Sequence, residues 1–152
     1  MSARPVAADP RPGSAADIRV AAWARVYSVV SVVLTLLILA QFFVAGLGVF
    51  TIMDASNPTT GSSASDSYWG LHFFNAFAIL LVMLVLVGVS FLARKPRRTR
   101  LLTALLVLLI LLQAVLAFVS IPPISAFHIL NALLILGVTA YLVIRNWAFG
   151  RA

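Results

Sequence analysis

His72-Phe73-Phe74-Asn75-Ala76-Phe77-Ala78-Ile79-Leu80 and His128-Ile129-Leu130-Asn131-Ala132-Leu133-Leu134-Ile135-Leu136 are two copies of one phrase, His-x-x-Asn-Ala-x-x-Ile-Leu. They hold the only two histidines of the 152-residue chain, and each leads into a long apolar run. Shared Ile, Leu and Ala carry little information in a chain that is 62% hydrophobic. A shared His with an Asn three places on carries far more. The repeat reaches back into the preceding runs: Ile38-Leu39-Ala40-Gln41 with Ala45 matches Ile110-Leu111-Leu112-Gln113 with Ala117, and Gln41 and Gln113 are the only glutamines. Hydrophobic periodicity alone has no reason to duplicate three rare residue types.

The apolar runs decide the class. Charged residues make up 10% of the chain and mean hydropathy is +1.08, whereas a water-soluble domain carries about 25% charged residues. Four stretches, residues 26–50, 71–93, 101–121 and 127–144, are long enough to cross roughly 30 Å of hydrocarbon at about 1.5 Å per helical residue. The expected fold is all-α: a polytopic four-helix transmembrane bundle over residues 23–147, built from two repeated helical hairpins. Short connections make successive helices antiparallel neighbours. The two hairpins then share one orientation, related by a pseudo-twofold axis along the membrane normal.

Residues 1–22, rich in Pro, Gly, Ala and Ser, read as a disordered tail, with Asp17 a candidate cap for the lead-in over 18–25. Residues 148–152 read as a second short tail. The first apolar run is too long for a secretory signal and reads as an uncleaved anchor. Residues 51–70, rich in Ser, Thr and Gly, read as a flexible connector. Gly46-Leu47-Gly48 lies in an apolar run with no strand before it, so it is read as easing close helix approach rather than as a dinucleotide fingerprint.

Basic residues cluster at alternate ends of the runs: Arg4, Arg11, Arg19 and Arg25; then Arg94, Lys95, Arg97, Arg98 and Arg100; then Arg145 and Arg151. The other two connections have none, and the first of them carries Asp54 and Asp66. This asymmetry predicts a plasma-membrane protein with both termini and the basic loop cytoplasmic. Tyr27, Tyr141, Trp147, Tyr68 and Trp69 fall at run ends, where interfacial aromatics belong. The net charge of +7 is thereby explained by topology, and nucleic acid is not an expected partner. The basic loop can also attract anionic lipid headgroups. Its simplest reading is as the orientation signal.

Both histidines are expected in the first turn of a helix that starts at the outer face, on the second and fourth spans. In an up-down ring those spans are diagonal, on the order of 13 Å apart for neighbour axes about 8–10 Å apart. Two diagonal imidazoles at one depth are the smallest bis-histidine haem site. We therefore expect His72 and His128 as axial ligands of haem b, with Asn75 and Asn131 one turn deeper as supporting hydrogen-bonding groups. Gln41 and Gln113 are expected about eight or nine residues below the outer surface as bridges between helices. The lack of any cysteine excludes thiolate sites, and the lack of Asp or Glu within a span weakens a non-haem metal site, since two neutral imidazoles make a poor metal cage. No catalytic residue is assigned.

The plan of His at the outer end of the second and fourth spans, with Gln on the first and third, resembles one four-helix half of haem A synthase over roughly 34–142. That resemblance implies haem ligation at His72 and His128. It departs where that family has a glutamate three residues before the first histidine, here Trp69, and in lacking the paired loop cysteines and the second half, so oxygenation chemistry does not carry over. The chain also resembles small uncharacterised four-span proteins of actinobacterial type. The expected function is a b-type cytochrome-like electron-transfer protein, with quinone or a redox protein as partner and a homo- or hetero-oligomer as a further option. The alternatives are a quinone-binding subunit and a haem-free accessory membrane protein.

Overall fold

The computed structural model describes residues 13–53, 58–119 and 121–149. Its elements are α1 (Ala15–Met53), α2 (Pro58–Leu92), α3 (Arg97–Phe118), the single-turn α4 (Pro122–Ser125) and α5 (Phe127–Asn146). Four of these helices are long and apolar enough to cross a membrane. In hydrocarbon a backbone must satisfy its own polar groups, so runs of Val, Leu and Ile that would suit strands in water are helical here.

α1 packs on α2 and α5, and α3 packs on α2 and α5, while α1 and α3, like α2 and α5, face each other across the ring. The up-down ring and the diagonal placement of the two histidine-bearing helices are as expected. α1 and α2 form one hairpin; α3, α4 and α5 form the other.

Several boundaries differ from the sequence reading. α1 begins at Ala15, so residues 15–22 are helical rather than tail; residues 1–12 lie outside the described part. Asp17 is not the N-cap. Ser14 Oγ accepts from Asp17 N (3.3 Å) and Asp17 Oδ2 accepts from Ser14 N (3.0 Å). This is the reciprocal capping box, with Ser14 as cap and Asp17 three places in. The expected connector over 51–70 is helical from Pro58 onward, with residues 54–57 outside the described part. α1, at 39 residues, runs about 58 Å at about 1.5 Å per residue, well beyond one hydrocarbon thickness.

The turn between α2 and α3 closes without glycine. Arg94 takes the left-handed conformation (φ 48°). Arg94 N donates to Phe91 O and Lys95 N to Ser90 O, each at 2.9 Å, the bond pair of a Schellman cap. Pro96 then prevents the helix from continuing.

The core occupies the half of the bundle nearest the basic residues. It holds Tyr27, Leu34, Met83, Leu86, Leu106 and Leu142, each fully buried, interleaved with the small hydroxyl residues Ser28, Ser31, Ser90, Thr103 and Thr139. Ser31, Thr103 and Thr139 bond the carbonyl four residues back, which satisfies them in place and lets helices approach closely. Tyr27 is buried rather than interfacial. Its hydroxyl shares a 2.8 Å hydrogen bond with Thr103 of the facing helix α3, and the Lys95 ammonium sits 4.8 Å from its ring centroid. Burial holds the Lys95 amine below the ordinary lysine pKa. Beside it, Ser28 Oγ donates to Asn146 O (2.9 Å) and accepts from Ala148 N (3.0 Å). Hydroxyl groups thus pin the two hairpins together at the basic end.

Candidate functional site

At the far end the bundle opens into a cavity of about 850 Å³ between the hairpins, lined by all four long helices. His72 and His128 both line it, together with Gln41, Gln113, Trp69 and Ser125 among apolar side chains that include Phe42, Phe73 and Phe118. The volume falls within the roughly 300–1,000 Å³ of small-molecule and cofactor sites.

The glutamines and asparagines form the same clamp in each hairpin. Gln41 Nε2 donates to His72 O (2.9 Å), and Asn75 Nδ2 donates to Leu37 O (2.9 Å) and to Gln41 Oε1 (2.6 Å). In the second hairpin Gln113 Nε2 donates to His128 O (2.9 Å), and Asn131 Nδ2 donates to Leu109 O (2.9 Å) and to Gln113 Oε1 (2.6 Å). Main-chain carbonyls only accept, so both amide orientations are fixed at both ends of the clamp. Each clamp stays within its own hairpin. It holds α1 to α2, or α3 to α5, at the level of the histidine.

The repeat therefore has a physical basis: each Gln side chain binds the histidine's main chain and each Asn binds the Gln, with neither side chain bonded to an imidazole. Gln41 and Gln113, expected as bridges between helices, each donate to the main chain of the partner helix of their hairpin. Asn75 and Asn131 lie beside the histidines, but bond Gln and a neighbouring carbonyl rather than the imidazole. The depths differ from expectation. The glutamines stand level with the histidines rather than below them. His72 is 14 residues into α2, not in its first turn, whereas His128 is the second residue of α5.

The two rings have different surroundings. His128 Nδ1 lies 3.2 Å from Gln113 O. Because a carbonyl only accepts, Nδ1 is the donor in this contact. His72 Nδ1 is buried with no hydrogen-bond partner among the described residues. Trp69 meets the His72 ring edge-on at 5.6 Å between centroids, and Phe73 does so at 6.4 Å. Trp69 in turn lies on α1 at Gly48, where a Cβ would meet Cε2 of the indole at 3.3 Å. Gly48 does permit a close approach, while a Cβ on Gly46 would meet nothing within 4 Å. Across the mouth, Phe73 of α2 stacks on Phe118 of α3 at 6.2 Å, an apolar contact between hairpins.

Trp69 is the lining residue that sequence reasoning assigned elsewhere, as an interfacial aromatic. Its spacing of three from His72 was the available signal, since residues three apart share a helix face. Among the described residues there is no group of three or more His, Cys, Asp or Glu that could hold a metal ion.

Helix count, packing and clamps define a polytopic four-helix membrane protein made of two like hairpins around a shared cavity. A family of unknown function, DUF6220, matches residues 41–121, more than half of the chain, and the protein belongs to that family. The matched segment contains Gln41, His72, Asn75 and Gln113, and stops before His128 and Asn131. No curated protein and no solved structure matches the chain. The comparisons therefore lend nothing to the resemblance to haem A synthase, which rests on the pattern of residues alone.

Proposed function

We propose that the far-end cavity holds haem b between His72 and His128, and that the protein carries electrons in a membrane. The observation that carries this reading is the division of labour at the repeat. The Gln–Asn clamps account for four of the six duplicated polar residues as helix ties, whereas both imidazoles line a common cavity, His72 Nδ1 with no hydrogen-bond partner among the described residues and His128 bonding through Nδ1 only to the Gln113 carbonyl. The residues fit the group: two imidazoles on diagonal helices, apolar walls, and at His128 an Nδ1 proton held by a carbonyl. A ligating histidine commonly donates its other nitrogen in this way. Held by His72 and His128, haem would supply one-electron transfer. The chain's own part is to orient the His128 ring through its Nδ1 contact with Gln113 O, to fix the level of both rings through their main chains, and to exclude water with Trp69, Phe73 and Phe118.

A second reading, a quinone in the same cavity, is favoured by one observation. Among the described residues no Lys or Arg lines the cavity, so haem propionates would have to be solvated at the far end, while a neutral quinone needs no such partner.

The test is spectroscopic. Protein purified in mild detergent from haem-replete cells is expected to show a Soret band that shifts on reduction. His72→Ala and His128→Ala should each abolish it while the helical content stays at the wild-type level, because the clamps grip the main-chain carbonyl of each histidine and not its ring. Colourless wild-type protein, or an unchanged band in both variants, overturns the haem reading. Ligand-dependent protection without a Soret band would favour the quinone.

A further inference from the structure

An open, shallow groove lies at the opposite end of the bundle along one face of α3, whose residues alone line it. Arg97 and Arg98 stand at its head, and Leu101, Leu102, Ala104, Leu105 and Leu108 line it below. Arg97, Leu101, Ala104 and Leu108 recur at three- and four-residue steps, so one helix face presents cations at the membrane boundary and a leucine wall in the span beneath. From Arg97 to Leu108 the groove runs about 16 Å at about 1.5 Å per residue. Leu101 and Leu108 are 59% and 64% exposed, so the wall is open to hydrocarbon.

The chain supplies little to neutralise the two guanidinium groups. It has four acidic residues against eleven basic ones. Asp17, the acidic residue of α1, has its carboxylate engaged by Ser14, and Asp66 lies on the far half of α2. Arg98 is steadied by the Tyr141 ring of α5, 5.7 Å from its guanidinium carbon, which leaves the planar fork of donors free for an oxyanion.

We propose that this groove is a binding site for an anionic phospholipid, the phosphate held by Arg97 and Arg98 and one acyl chain laid against Leu101, Ala104 and Leu108. Charge complementarity selects this occupant: a cationic head above an apolar wall matches a lipid with a negative headgroup, and matches neither a soluble anion nor a zwitterionic lipid as well. Basic pockets beside transmembrane helices recognise headgroups by this chemistry.

Native mass spectrometry of the purified full chain, in micelles containing equal dioleoyl phosphatidylglycerol and dioleoyl phosphatidylcholine, tests it. Wild type is expected to retain one phosphatidylglycerol in preference to phosphatidylcholine. R97Q/R98Q should weaken that retention about thirty-fold, at ~1 kcal/mol per basic residue near the headgroups. It keeps Arg94, Lys95 and Arg100, so the loop remains basic. Ala104→Trp, which fills the groove without altering charge, should weaken retention as well, whereas Arg94→Gln, at the same loop but outside the groove, should not. Equal retention of both lipids, equal loss with Arg94→Gln, retention unchanged by Ala104→Trp, or full displacement by millimolar inorganic phosphate would each overturn the proposal.

Discussion

The clamp in the second hairpin can be measured directly. Asn131 is 7% exposed and gives its amide protons to Gln113 Oε1 and Leu109 O, while Gln113 gives its own to His128 O. Interhelical hydrogen bonds in membranes average about 0.6 kcal/mol and reach about 1.7 kcal/mol. Asn131→Leu and Gln113→Met keep side-chain volume and remove the bonds, so each is expected to cost about 1.2 kcal/mol for the two bonds it loses. The double variant loses three bonds rather than four, because one is shared. It should therefore cost about 1.8 kcal/mol and leave a coupling of about 0.6 kcal/mol, or more if the short shared bond lies near the top of the range. The assay is reversible unfolding in mixed SDS–detergent micelles, followed by circular dichroism. Asn75→Leu with Gln113→Met pairs residues of different hairpins and provides the reference, expected to be additive within about 0.5 kcal/mol. A coupling for Asn131 and Gln113 no larger than that reference would refute the clamp.

Three further outcomes can be checked by similar means. Tyr27→Phe removes the bond to Thr103 between facing helices and is expected to lower unfolding stability by about 0.6–1.7 kcal/mol; no change would mean the bond is not formed in lipid. Arg94→Gly relieves a left-handed arginine and should raise stability by about 1 kcal/mol, read in the same titration; a loss would show that the arginine side chain outweighs its backbone strain. Gly48→Leu must displace the Trp69 indole, since even a Cβ sits 3.3 Å from it. A cost of about 1–3 kcal/mol is expected from overpacking, with a changed near-ultraviolet circular dichroism band, and an unaltered band would place the indole elsewhere.

The ring of four helices, the diagonal pair and the matching of the two hairpins were legible because rare residues punctuate an apolar chain. Gln41, His72, Asn75 and their counterparts stand out against Leu and Val, and their offsets repeat. What each side chain touches was less legible. Nothing local distinguishes an asparagine that binds an imidazole from one that binds a glutamine on another helix. Tyr27 looked interfacial because its partner Thr103 is 76 residues away. Lipid-facing and core-facing surfaces are equally apolar, so the alternation that reveals a buried face in water is absent. Leu36 at 60% exposure and Leu34 at 0% read alike. The length of α1 was underestimated because Ala15–Ala22 is helical by cap and propensity, without an apolar run to announce it.

The pins at the basic end give the bundle a mechanical ratio. From Tyr27 to Gln41 is 14 residues, a lever arm of about 21 Å at about 1.5 Å per residue. Each clamp moves as part of its own hairpin, carrying its histidine with it. A scissoring of about 3° at the hydroxyl pins would therefore translate into about 1 Å of change between the two imidazoles. The separation of the two imidazoles can thus be adjusted from the opposite end of the bundle, through substitutions around Tyr27, Ser28 and Thr103 that never touch the cavity.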